Sequence, residues 1–243
     1  MKKFFRFLIV LILIVGGCAA YFFFSNGKMM IGVVKADKEA LSTTLNNSIK
    51  KVHDYGNFNL SYQSDDKTTK INSQILIKFD GENRYFSAEV TKIVGDTTTN
   101  SSYYCEAKGD VATVYVTSGD IKNYHITTWN LALAEVTGGS ALPNILLEND
   151  YEIKKEDFVE NFKSSTVTFS FKPFYYAAKL ELEKSGTNMK FDISNRGILR
   201  KIEASTKTVL VDLSETLVVN KPGKAVSIAS LSEEQKASYS LLG

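Results

Sequence analysis

The sequence predicts an α+β fold, in which an N-terminal membrane helix precedes one amphipathic helix and a long run of antiparallel β-strands. Three observations lead to this prediction. The 243-residue chain opens with basic residues and a long uncharged apolar segment. Apolar residues then recur every three or four positions over 37–55, as on one face of a helix. Beyond residue 56 they recur at every second position, and glycine-containing turns separate the runs, as in strands joined by hairpins.

The N-terminal segment divides the chain into four parts, which are a cytoplasmic basic flank over 1–6, an apolar segment over 7–24, a linker over 25–36 and an external domain over 37–243. The apolar segment holds no charged residue. As a helix of about 18 residues at about 1.5 Å per residue, it reaches about 27 Å, close to the hydrocarbon thickness of a bilayer. The basic residues before it are Lys2, Lys3 and Arg6. Because such residues stay on the cytoplasmic side, we expect an extracytoplasmic C-terminal domain in a bacterial cell envelope.

The apolar segment has three candidate fates, which the residues around Cys18 help to separate. It stays in the membrane as a single-pass signal-anchor helix, or "VGGC" acts as a bacterial lipobox that lipidates Cys18, or signal cleavage follows Ala19 or Ala20. A lipidated cysteine is usually followed by a polar tether, whereas "AAYFFF" continues the apolar run here. Aromatic residues are favoured at the membrane interface, so we predict the signal-anchor, with a lipid anchor on Cys18 as the alternative.

The first element of the external domain is an amphipathic helix over 37–55. Asp37 suits its N-cap and Gly56 its C-cap. Four apolar residues at spacings of four, four and three share one face: Leu41, Leu45, Ile49 and Val52. Because a sheet with one apolar face needs a cover, we expect this helix to lie over the strands that follow.

Most of the later elements are predicted strands. The first five runs are "NFNLSYQ", "KINSQILIKFDG", "YFSAEVTKIV", the strand pair in "SSYYCEAKGDVATVYVTSGD", and "NYHITTW". A second helix is predicted over 141–148. Then come the strand "STVTFSF", a helix over "PFYYAAKLELEK" opened by Pro173, the hairpin "NMKFDISNRGILRKIEAS", and the strands "KTVLVDLS" and "KAVSI". The tail "SLSEEQKASYSLLG" is predicted to be frayed or weakly helical.

This layout resembles the half-barrel of LolA-like and LppX/LprG-like bacterial lipoprotein and lipid carriers. The resemblance rests on the opening helix followed by "GNFNLSYQ", on "YYCEAKGDVATVYVTSGDIKNYHITTW", and on "TVTFSFKPFYYAAKLELEKSGTNMKFDISNRGILRKIEA". It covers most of 37–228 at the level of pattern. It implies an open, curved antiparallel sheet whose concave apolar face holds acyl chains or the lipid anchor of a client. The apolar segment over 7–24 departs from these carriers and argues against a freely diffusing shuttle.

No motif points to catalysis, a cofactor or nucleic acid. The sequence has no serine elbow, Walker A, zincin or EF-hand motif. We interpret His53 and His125 as isolated packing or capping groups, Cys105 as a buried thiol, and Ser140 in "TGGSALP" as part of a loop without a base. The 29 basic and 27 acidic residues nearly balance once the N-terminal flank is set aside. The charge balance therefore gives no sign of the clustered basic face that nucleic-acid binding needs.

The aromatic residues are the remaining functional signal. Nine are candidates for an apolar ligand face: Phe58, Tyr62, Phe79, Phe86, Tyr104, Tyr115, Trp129, Phe169 and Phe171. These residues form either an ordinary core or a cleft that accepts an acyl chain. We therefore expect non-enzymatic binding of a lipid or another apolar ligand at the membrane. The alternative is a protein-protein interaction or structural domain with a filled core. An enzyme, the third reading, needs a pocket with converging titratable groups.

Overall fold

The strands of this protein form one sheet built from two antiparallel meanders. In a computed structural model, the structure describes residues 28–29, 38–140, 142–147, 168–172, 175–184, 187–194, 196–208, 211–224 and 226–242. The first meander contains β2 (Asn57–Asp65), β3 (Thr69–Asp80), β4 (Asn83–Val94), β5 (Thr97–Lys108), β6 (Val111–Ser118) and β7 (Ile121–Thr128). The second contains β8 (Thr168–Lys172), β9 (Tyr175–Lys184), β10 (Thr187–Ile193), β11 (Leu199–Lys207) and β12 (Asp212–Asn220).

The two meanders meet where β12 pairs antiparallel with β2. Two short strands complete the sheet: β1 (Lys28–Met29) pairs with β8, and β13 (Ser240–Leu241) pairs with β7. The full order is β1-β8-β9-β10-β11-β12-β2-β3-β4-β5-β6-β7-β13. The sheet is open and antiparallel apart from the β7–β13 pair, as an α+β fold of the predicted class requires.

Four helices accompany the sheet in the described part of the chain: α1 (Lys38–Asp54), α2 (Trp129–Val136), α3 (Asn144–Leu147) and α4 (Glu233–Ala237). Helix α1 confirms the amphipathic helix, since Leu45, Ile49 and Val52 are buried. Gly56 ends it with a φ of +64°, a conformation that glycine adopts without strain. None of these helices is long and apolar enough to cross a membrane. The predicted membrane segment over 7–24, with Cys18, lies outside the described residues.

The core occupies one face of the sheet, which we call the inner face. The buried side chains on β2 are Phe58, Leu60 and Tyr62, and the same alternation continues through β3 and β4. Helices α1, α2 and α3 contribute buried residues to the same cluster. The amphipathic helix therefore shares its role as cover with α2 and α3.

Three helix predictions need correction. Helix α2 was not predicted, because "NYHITTW" was assigned to a strand throughout. The strand ends at Thr128, whose hydroxyl accepts a hydrogen bond from the Leu131 amide and so caps α2. Within the predicted helix over 141–148, the described residues 142–147 contain one helical turn, Asn144–Leu147, and residues 141 and 148 lie outside the described part of the chain. In the predicted helix "PFYYAAKLELEK", Tyr175–Lys184 form strand β9, and Pro173 and Phe174 lie outside the described residues. Strand β9 pairs with β8 on one side and β10 on the other, and its leucine–glutamate alternation has the period of a strand.

The C-terminal predictions also change. The run "KTVLVDLS" begins with the last residue of β11, Lys207, and β12 begins only at Asp212. Between them the Val211 amide donates a hydrogen bond to the Thr208 hydroxyl. Residues 226–230, within the predicted strand "KAVSI" and after it, form no strand or helix. The tail is ordered by a capping box at Ser232, α4 and β13. It returns to the far edge of the first meander.

Candidate functional site

The inner face brings five of the nine candidate aromatics together. Trp129 is fully buried, with its ring centroid 5.6 Å from that of Phe86 and 6.2 Å from that of Phe79. Phe58 meets Phe79 edge to face at 6.0 Å. The fifth, Tyr62, belongs to the same core cluster. These side chains contact one another, as in a packed core, rather than line an open cleft.

The Arg84 side chain contacts Trp129 in this cluster. The guanidinium carbon lies 5.9 Å from the indole ring centroid, within the range of a cation–π interaction. The indole Nε1 is buried and has no hydrogen-bond partner among the described residues. The buried Trp129 is thus held mainly by ring packing and dispersion.

Tyr62 links β2 to β12 through its side chain. Its hydroxyl donates a 2.8 Å hydrogen bond to Glu215, and the Ser140 side chain lies beside it. Burial, with the Glu215 carboxylate adding to it, raises the pKa of Tyr62 to about 12, so the phenol stays protonated. No sequence pattern predicted this role for Glu215, which is 153 residues away from Tyr62. Ser140 has a protonated phenol beside it instead of a base, so this arrangement does not activate a nucleophile.

Tyr104 and Tyr115 lie on the opposite face of the sheet, which we call the outer face. Cys105, the next residue, pairs with Phe86 in the inner row, and strand alternation turns Tyr104 away from it. Tyr104 pairs directly with Tyr115, with ring centroids 6.0 Å apart. The expectation that all nine aromatics share one face therefore differs from the structure for these two residues.

Phe169 and Phe171 lie on β8, which four other strands separate from β2 in the sheet. Phe169 pairs in register with Ala178, and Ala178 pairs with Ile193. The side chains of the two phenylalanines lie outside the described part of the structure. They are far from the Trp129 cluster along the sheet.

The described titratable groups do not assemble a catalytic or metal centre. His125 Nε2 lies 2.7 Å from Glu135 on α2, and the ring of His53 lies against Phe79 at 5.3 Å. Burial, reinforced by nearby carboxylates, raises the pKa of the Cys105 thiol and keeps it protonated and unreactive. The described residues contain no group of three His, Cys, Asp or Glu side chains placed to hold a metal ion.

Two surface depressions are formed by described residues. One, of about 350 Å³, lies on the outer face beside Tyr85, Glu106 and Thr113. The other, of about 310 Å³, lies where the end of α1 meets the β10–β11 turn, beside Lys51 and Arg196. Neither is lined by the inner aromatic cluster.

Comparisons with known proteins add no functional assignment. No family model matches the sequence, and no curated protein matches it. A solved structure described as PNGF-II in a C2 space group is similar over 76% of this chain and 30% of that chain, at 9% identity and a TM-score of 0.25. The chain thus spans less than a third of that protein, and a likeness this weak carries no argument about function.

Proposed function

We propose that this chain is a non-enzymatic interaction domain with a filled core, held at the outer face of a bacterial membrane by its N-terminal segment. The observation that carries the proposal is the packing of the inner aromatic cluster. Phe58, Phe86 and Trp129 are all fully buried by protein. An acyl chain at this position would have to displace side chains that already contact one another.

Lipid binding is the second candidate, and it has a different location. The row of paired positions Phe169, Ala178 and Ile193 continues the apolar pattern of the inner face across β8, β9 and β10. Helix α1 contacts β11 and α3, and Phe191 and Ile193 of β10 are buried in the same core, so β8 and β9 are the strands farthest from this cover. An apolar ligand of a half-barrel carrier would bind at this end of the sheet, away from Trp129.

The single tryptophan of the chain allows a direct test. The full chain is placed in bilayers whose acyl chains carry bromine, a contact quencher of indole fluorescence. A filled core predicts blue-shifted Trp129 emission that brominated lipid does not quench. Quenching of Trp129 by brominated lipid, absent with unlabelled lipid, would overturn the filled-core proposal.

A matched variant tests whether lipid binds at the other end of the sheet, as the second candidate function requires. The double substitution Trp129→Phe and Phe191→Trp moves the reporter to β10, at a position that is 1% exposed. Quenching in this variant alone would favour a lipid site under β8–β10, whereas quenching in neither protein supports the interaction domain. Circular dichroism of the variant establishes that its strands are retained.

A further inference from the structure

The outer face carries a row of tyrosines that is covered by the end of the same chain. Tyr104, Tyr115 and Tyr124 occupy directly paired positions on β5, β6 and β7. Their neighbouring ring centroids are 6.0 and 5.8 Å apart. Tyr104 and Tyr115 are only 6% and 8% exposed, although helices α1–α3 pack on the opposite face. Residues 230–242, which we call the C-terminal strap, provide this cover.

The strap makes three kinds of contact with the surface below it, and its side chains make the first two. The Lys236 ammonium lies 2.9 Å from the Glu106 carboxylate, which raises the pKa of Lys236. The ring of Tyr239 meets Tyr115 edge to face at 5.2 Å, and its hydroxyl is 2.9 Å from Thr117 Oγ1. The surface therefore recognises a cation followed three residues later by an aromatic ring.

Backbone pairing adds the third contact. Ser240 and Leu241 pair in parallel with Asn123 and Tyr124 of β7, and the Leu242 amide donates a 2.8 Å hydrogen bond to the Tyr124 carbonyl. An added strand on an exposed sheet edge is a recurrent mode of peptide recognition. Here the chain itself supplies the added strand.

The strap is held by few contacts and is separable from the fold. Helix α4 buries none of its residues, and Leu241 and Leu242 are 63% and 54% exposed. Its pairing with β7 involves two residues of an eight-residue edge strand. The capping box at Ser232 is internal to the strap, so α4 keeps its end structure wherever the strap lies.

The connector before the strap is short. The Gly223 amide donates a hydrogen bond to the Asn57 carbonyl, which ties the start of the connector to β2. The remaining residues, 225–229, reach about 16 Å when extended, and the three strand spacings from β2 to β5 amount to about 14 Å. Short hinges favour the exchange of a segment between copies. The connector lies between β12 and the strap, so the strap can leave its own sheet without unfolding β12, and every copy of the chain presents a surface that fits it.

We propose that the C-terminal strap is exchangeable and that the β5–β7 outer face with the β7 edge is a docking surface for the strap of a second copy of this chain. The proposal rests on the proposed interaction function and names its surface and partner. Reciprocal exchange preserves the Lys236–Glu106 pair, the Tyr239 contacts and the β7–β13 pairing in each half of a dimer.

Charge reversal tests the exchange in full-length protein. Glu106→Lys and Lys236→Glu each place like charges together within one chain, and each should speed hydrogen exchange at the Leu242 amide by at least about tenfold. A mixture of the two variants restores opposite charges only when the straps are exchanged. We expect the mixture to form a heterodimer by native mass spectrometry, with Leu242 protection recovered. The double variant should recover protection within a single chain.

Controls keep the outcomes distinct. Lys50→Glu reverses a charge on the exposed face of α1 and should change neither Leu242 protection nor assembly. Trp129 lies on the inner face, and its fluorescence reports whether each variant is folded. The substitution Tyr239→Phe is a milder change, which removes only the hydroxyl contact with Thr117. A mixture that stays monomeric with Leu242 unprotected would overturn exchange, as would unchanged protection in both single variants. Neither result depends on lipid quenching of Trp129, so the two proposals can fail separately.

Discussion

At the scale of single residues, Trp129 lies in a packed cluster. Its aromatic character made it a candidate both for an ordinary core and for an apolar ligand face. Trp129 is the first residue of α2, a helix that the sequence pattern did not predict, and Phe79, Phe86 and Arg84 lie around it. An aromatic residue in a sequence indicates burial, but only the packing of the side chains around it shows whether a cleft remains.

Replacing Trp129 with alanine should destabilise the fold. Loss of a fully buried indole costs about 3–5 kcal/mol in the free energy of unfolding, because lost contacts and a new cavity add. Urea denaturation followed by circular dichroism measures this change. Leu131→Ala, on the same helix but 58% exposed, is the matched control and should change the free energy by less than about 0.5 kcal/mol. Equal effects of the two substitutions would contradict the packing described for α2.

Tyr62 should make stability depend on alkaline pH. Its pKa is raised from 10.0 to about 12 in the folded state, so the folded state holds the proton more tightly than the unfolded state. This stabilisation is complete below pH 10 and is lost as the pH rises toward 12. We expect the free energy of unfolding to fall less steeply over this window in Tyr62→Phe than in the wild type. Identical slopes would show that Tyr62 ionises as freely in the fold as in the unfolded chain.

At the scale of elements, local sequence predicted strands well where a turn residue marked both ends. The β2–β3 turn, which has no glycine, is held by a carboxylate instead. The Asp66 carboxylate accepts hydrogen bonds from the amides of Thr68 and Thr69, and Lys67 beside it adopts a φ of +72°. Strand β9 shows the opposite case, since its alanines and charged residues suit a helix locally and only pairing on both sides makes it a strand.

The β2–β3 turn should weaken in acid. Hydrogen bonds from the Thr69 and Thr68 amides and the Thr68 hydroxyl lower the pKa of Asp66 below its usual 3.8. The stabilisation by the ionised Asp66 carboxylate is therefore complete above pH 3.8 and is lost as the pH falls through the lower pKa of the folded state. The stability advantage of the wild type over Asp66→Asn, measured by urea denaturation, should shrink in that range. A stability advantage of the wild type over Asp66→Asn that stays constant well below pH 3.8 would exclude this role for the carboxylate.

At the scale of the whole molecule, the two meanders share one core. Phe191 and Leu217 of the second meander belong to the same buried cluster as Phe58 and Trp129. The strand pair β12–β2 joins residues more than 150 positions apart in the chain, such as Leu217 and Tyr62. We therefore expect both meanders to unfold together.

Leu217→Ala tests this coupling. Truncation of this fully buried side chain should cost about 2–5 kcal/mol and should shift the Trp129 fluorescence transition and the circular dichroism transition equally. Val211→Ala, at a position that is 44% exposed just before β12, is the control. A Trp129 transition that does not move while circular dichroism does would show that the two meanders unfold separately.

Local sequence patterns were enough to predict the α+β class, helix α1, the hairpins of the first meander and the β10–β11 hairpin, because periodicity, caps and turn residues act over a few neighbouring positions. The tertiary structure set the remaining features, including strand β9. It set the seam between β12 and β2, the partners of Trp129 and Tyr62, the face on which Tyr104 and Tyr115 lie, and the return of the C-terminal strap. These features depend on contacts between residues far apart in the chain, and such contacts produce no pattern among neighbouring sequence positions.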